Sequence, residues 1–149
     1  MALNPGYIGR VHGPGEPYEV SRVKIAEFAD AIGEPSELCR SRETAVAAGY
    51  PDVIAPPTFA IVISLHHAHE MNEDPGLGLD YSMVVHAEQS FRHSRPLHAG
   101  DVVTATTTID SIRQVGPLAM LVTSTELVTV DGEHVCTAKS TLVERGAES

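Results

Sequence analysis

Chemistry along this chain is suggested first by a cluster of proton carriers: His66, His67, His69 and Glu70. His66 and Glu70 stand four apart, so a helix would place them on one face as two potential metal ligands. The H-E-x-x-H order of a zinc helix is absent, however, and the cluster falls where an apolar run turns polar. It reads as a solvated helix end, with the imidazoles close to the negative end of the helix dipole, and no metal is assigned. A second group is His86, Glu88 and Gln89 in a strand-like run. Alternation places His86 and Glu88 on one face and Gln89 on the other. His86 is thus a candidate general base, or a partner for an acid across a subunit interface. Asp101, directly after Gly100, reads as the cap of a turn, and His93 and His98 read as surface residues flanking it. Cys39 and Cys136 match no metal or redox spacing and read as free thiols. Neither a Gly-rich phosphate loop nor a G-x-S-x-G elbow occurs, so nucleotide cofactors and serine-hydrolase chemistry lack support. No cofactor is expected.

These side chains need a scaffold, and the composition bounds it. The chain has 149 residues, 42% of them hydrophobic, a size suited to a single domain over 1–149. A net charge of −10 argues against nucleic acid or an anionic membrane surface as partner. The opening MALNPGYIGR lacks a basic-then-apolar leader pattern, so a cytoplasmic location is expected.

The scaffold centres on residues 52–71, DVIAPPTFAIVISLHHAHEM. Pro56 disfavours helix at Ala55, whereas Pro57 suits a first helical turn. From Thr58 to about Met71 no Gly or Pro intervenes, and the first two turns are apolar nearly all round, which predicts a buried helix. At about 20 Å it is too short to span a bilayer. Upstream, Ser21 is a helix N-cap candidate and Gly33 a C′ residue for a helix over 22–32. Its apolar face would carry Val23, Ile25, Ala26, Phe28, Ala29 and Ile32. Tyr18-Glu19-Val20 reads as a short strand, and 41–48 as a small helix ended by Gly49. Downstream, 82–92, 101–113, 117–130 and 133–145 read as strands, 101–113 being rich in β-branched residues. Val115-Gly116-Pro117 marks a turn, and Asp131-Gly132 predicts a type I′ hairpin. Successive runs with short turns predict an antiparallel meander burying the helix, an α+β fold. The outer face or edge of that sheet would be free to pair with another copy, so a dimer is expected.

At His86-Ala87-Glu88-Gln89-Ser90-Phe91, and again at Arg95-Pro96-Leu97-His98-Ala99-Gly100-Asp101, the sequence resembles the MaoC-like dehydratases. More particularly it resembles the FAS1-like, N-terminal-type group. That group includes the non-catalytic subunit of heterodimeric (3R)-hydroxyacyl-ACP dehydratases of actinobacterial fatty-acid elongation. The likeness runs from about Tyr18 to Val143 and includes Phe28-Ala29 and the lead-in from Gly49-Tyr50 to Pro57-Thr58-Phe59. It implies a hot-dog fold, in which an antiparallel sheet wraps one central helix. It also implies a reversible hydro-lyase chemistry on a 3-hydroxyacyl thioester of ACP or CoA, without cofactor. Tyr50, Pro57, Thr58 and Phe59 are the implied substrate-binding positions. The Thr58 and Phe59 N–H groups at a helix start are of the kind that serves as oxyanion donors, but the reading taken for this turn is a vestigial or tunnel-lining role.

The family's hydratase motif resembles Gly-Asp-x-Asn-Pro-(Leu/Ile)-His, and the matching stretch is Gly33-Glu34-Pro35-Ser36-Glu37-Leu38-Cys39. Gly33 and Leu38 agree. Glu34 stands at the Asp position, Ser36 at the Asn, Glu37 at the Pro and Cys39 at the His. A thiol is a poor replacement for an imidazole whose ordinary pKa suits proton transfer near neutrality. No complete catalytic set is therefore assigned, and Glu34 and His86 remain as candidates. The expectation is a dehydratase subunit that shapes the acyl pocket for a catalytic hot-dog partner. The alternatives are a self-sufficient homodimeric enoyl-thioester hydratase or thioesterase, and a non-enzymatic acyl-binding module.

Overall fold

A computed structural model describes residues 3–146. Two short strands, β1 (Val11–His12) and β2 (Tyr18–Glu19), precede α1 (Arg22–Ile32). The hydroxyl of Ser21 caps α1 by accepting from Lys24 N, and Gly33 ends it in the left-handed region at φ 72°. Ile25 and Ala29 form its buried face, whereas Val23 and Ile32 are exposed, so the apolar stripe is narrower than the sequence pattern suggests. A 3-10 turn (Glu37–Cys39) and the short α2 (Arg42–Ala47), capped by Ser41, follow.

The central helix α3 (Ala60–Asn72) is preceded by a 3-10 turn, Pro57–Phe59. It is not buried all round. Leu65 is exposed, while Ser64 and His67 are buried. The reason is that the sheet covers one side of α3 only within this chain.

The sheet is antiparallel and six-stranded, with β1, β4 (Val102–Val115), β5 (Leu118–Thr129), β6 (His134–Glu144) and β3 (Val84–His93) in that spatial order, and β2 also pairing with β4. Thus β4, β5 and β6 form the expected meander, but β3 joins at the far edge, against β6. The β4–β5 turn has Gly116 at φ 60° as its first central residue, the requirement of a type II′ turn before Pro117. The β5–β6 turn differs from expectation. Type I′ needs positive φ at Asp131 as well, and only Gly132 has it, at 95°. Gly132 N donates to Thr129 O at 2.9 Å and Thr129 N to Glu133 O at 2.8 Å, the bonding of a type I turn followed by a glycine bulge. Register shifts at Ile109/Ser111, His86/Glu88 and Leu127/Val128 add local twist.

The core lies between α3 and the sheet in two apolar clusters. One gathers Val20, Ile25, Phe59, Ile63, Leu97, Val103 and Leu127, with Phe28 edge-on to Phe59. The other gathers Tyr7, Met71, Leu77, Ile109, Leu121 and Leu142. Buried hydroxyls lie on the same inner face, Thr107 and Thr125 bonding each other at 2.7 Å.

Candidate functional site

The groove at the start of α3 is built by the convergence of three segments. Val53 and Ala55 pair with the loop before β4, through Ala55 N to Leu97 O at 2.7 Å and Ala99 N to Val53 O at 3.0 Å. That loop is held in turn by Asp101, which accepts from His98 N at 2.9 Å and receives both Arg95 amino groups at 2.9 and 2.8 Å. Asp101 is therefore the turn cap its position suggests. Burial alone would raise its pKa, but the Arg95 hydrogen bonds and then His98 N–H carry it below the ordinary carboxylate value. His98 is not a free surface residue: its Nδ1 sits 2.8 Å from Ala99 O.

From this support Pro57, Thr58 and Ile61 face β3, and with His86, Gln89, Ser90, Phe91 and His93 they line a groove of about 450 Å³. The strand bulge decides which β3 residues reach it. His86 pairs with Leu142 and Gln89 with Ser140, two apart on β6, whereas Glu88 pairs with Thr141 between them. His86 thus shares a face with Gln89 and not with Glu88, the reverse of simple alternation, because the extra residue Ala87 shifts the parity of the strand. His86 Nε2 is spent on Glu88 O at 3.0 Å and Ser140 Oγ at 3.2 Å.

His93, expected at the surface, is the histidine most closely tied to the helix start. Its Nε2 donates to Pro57 O at 2.8 Å, and its Nδ1 is buried without a partner among the described residues. Nothing in the sequence distinguishes it, since the contact joins positions 36 residues apart.

Other expected positions fall elsewhere. Tyr50 is half-buried beside α2, its N–H on Ala45 O, and is not in the groove lining. Phe59 is fully buried in the core and its N–H donates to Pro56 O at 2.9 Å, so Thr58 and not Phe59 presents the helix start to the groove. Glu34 and Cys39 come together after α1. Cys39 is buried, and burial first, then the charge of Glu34, raise its thiol above the ordinary value. Neither lines the groove. Cys136 is likewise a buried free thiol, pushed up to about 11 by burial.

The histidine cluster of α3 also departs from expectation. His67 is only 6% exposed, not solvated, with Nε2 3.0 Å from His12 O. The side chains that approach a metal-like grouping are His12, His67 and Glu70, with ligand atoms within 4.8 Å of one another, and not the pair His66 and Glu70. His67 Nε2 is already engaged by the backbone of β1, so this triad clasps the N-terminal segment to α3.

Comparison with known proteins follows this geometry. Residues 7–138 match the model of the FAS1-like dehydratase domain region. The chain belongs to that family. It is 53% identical to a UPF0336 protein of Thermobifida fusca over 98% of this chain and 96% of the relative. A UPF0336 protein of Streptomyces avermitilis is 47% identical, over 99% of each. In structure it is similar to a chain of the C-terminally truncated HadBC (3R-hydroxyacyl-ACP dehydratase) complex of Mycobacterium tuberculosis. That likeness has a TM-score of 0.83 and 26% identity, over 92% of this chain and 96% of the other. A MaoC-like dehydratase gives a TM-score of 0.87 and 27% identity over 95% of this chain, which is matched to 43% of that one. The α+β architecture is accordingly the hot-dog fold of this dehydratase and hydratase family. Among the described residues no helix is long and apolar enough to cross a membrane.

Proposed function

We propose that this member of the family is a subunit of a (3R)-hydroxyacyl thioester dehydratase, shaping the acyl pocket while a hot-dog partner supplies the catalytic Asp and His. The reading rests chiefly on the pair at Glu34 and Cys39. These residues occupy the positions of the family's carboxylate and imidazole, and they lie near enough for the Glu34 charge to raise the Cys39 thiol. A buried thiol with a raised pKa stays protonated at neutral pH and cannot exchange protons as an imidazole does. The groove at the α3 start, in contrast, keeps an apolar body in Phe91 and Ile61 with polar groups at its margin, the makeup of a small-ligand site. Acyl-ACP or acyl-CoA is the proposed ligand, and a catalytic hot-dog chain, or failing that a second copy, the proposed partner. The exposed edge of β3 is where such a chain would pair.

The test is co-expression with a chain carrying the intact Asp…His motif, followed by pull-down and hydration of a trans-2-enoyl thioester. Turnover by the mixture with none by the lone chain is the expected result. Robust turnover by the lone chain, abolished by Glu34→Ala or His86→Ala, would overturn it. One observation favours the self-sufficient homodimeric hydratase instead: the unpartnered His93 Nδ1 at the groove. In that case the activity of the lone chain would be lost in His93→Gln.

A further inference from the structure

The groove does not continue into a wide tunnel. Ile61 and Gln89 line both the groove and a seam that runs on between α3 and the sheet, so the two meet there. The seam has a free volume of about 10 Å³, roughly that of one water position. Its walls mix Leu65 and Ala68 of α3 and Leu142 of β6 with polar side chains, among them Asn72 of α3 and Thr125 of β5. Two of its lining side chains hold buried acceptors without a partner among the described residues, Asn72 Oδ1 and Gln89 Oε1. Asn72 is only 3% exposed, and its Nδ2 already donates to Tyr81 Oη at 3.3 Å. An alkyl chain pushed into this space would have to displace packed side chains and press methylenes against amide oxygens that can then reach neither water nor a donor.

We propose that Gln89, at the mouth of the seam, and Asn72, further along α3, form a polar stop that limits this protein to short acyl thioesters, the chain ending within the seam. The proposal rests on the acyl-thioester reading above and adds the length of the acyl group. Each carbon beyond the stop then lowers affinity, whereas in an apolar tunnel each would raise it.

The test is calorimetric titration of the whole chain with trans-2-enoyl-CoA of four, eight and twelve carbons. The four-carbon ligand should bind at least about tenfold more tightly than the twelve-carbon one, the loss expected when a buried acceptor is sealed without a donor. Asn72→Ala and, separately, Gln89→Leu should raise the twelve-carbon to four-carbon affinity ratio by about the same factor. Equal or tighter binding of the twelve-carbon ligand by the unmodified chain overturns the stop and leaves the acyl-thioester reading standing. A ratio that stays put in both variants, each with a cooperative thermal transition, removes the role of these two residues. No binding at any length defeats the acyl-thioester reading itself and the stop with it. The length series on the unmodified chain decides the matter even where a variant does not fold.

Discussion

Replacing Arg95 with methionine keeps most of the side chain's length and removes its charge. The carboxylate it leaves behind, Asp101, has a side chain 5% exposed, and Arg95 itself is 25% exposed. Breaking a buried, hydrogen-bonded pair from one side costs about 3–5 kcal/mol, because the remaining charge stays desolvated. The bond to Glu133, 58% exposed, adds little. For a chain of this length the loss corresponds to a fall in Tm on the order of 10 °C. Urea unfolding at neutral and acid pH checks the cause as well as the size. In the native chain the Asp101 pKa is depressed, so its contribution is present above the unfolded value of about 3.9 and is lost as pH falls through the folded value. In Arg95→Met the Arg95 hydrogen bonds that lower the pKa are gone while the burial that raises it remains, so protonation costs the variant less than the native chain. The stability gap between the two proteins should therefore narrow as pH falls from 7 toward about 4. A gap below about 1 kcal/mol at neutral pH, the range of an exposed pair, or a gap that does not change with pH, would refute the argument. The functional consequence is testable in the same variant: the loop over 95–101 positions Val53 and Ala55, so ligand binding at the α3 start should weaken even where the variant is fully folded.

Phe59→Ala should cost about 3–5 kcal/mol in chemical denaturation, since the ring is fully buried against Phe28 and leaves a cavity that the sheet cannot close. Cys39 and Cys136 should be silent toward a thiol reagent at mildly alkaline pH in the native chain and react in urea, because both are buried with raised pKa; fast native labelling of Cys136 would contradict its burial. Gly76→Ala should lower the unfolding free energy obtained from urea titration by about 1–3 kcal/mol. A Cβ there would sit 2.0 Å from Tyr7 Oη, which donates to Asp74 at 3.0 Å, and Tyr7→Phe should partly offset the loss by removing the clashing oxygen.

Much of the fold is legible along the chain. The Ser21 cap, the left-handed Gly33, the proline-led start of the central helix and the four long strands follow from preferences that act over a few residues. Residue identity also shows that Cys39 stands where the family resemblance implies an imidazole. The site is less legible. Alternation groups His86 with Glu88, and the bulge at Ala87 regroups it with Gln89. Polar neighbours in sequence place His67 in solvent, yet β1 and the segment after it cover it: Gly13 and Gly15 press so close that a Cβ on either would approach its ring within 3.0 and 2.7 Å.

What the sequence alone determined, then, is element type, element ends and the residue at each motif position, because caps, turns and residue identity are local properties. Only the tertiary structure decided that β3 lies beside β6, that His93 anchors the start of α3, and that Asn72 and Gln89 meet at one seam. Strand parity and burial depend on partners tens of residues away, and a helix or strand pattern carries no record of which neighbour will cover it.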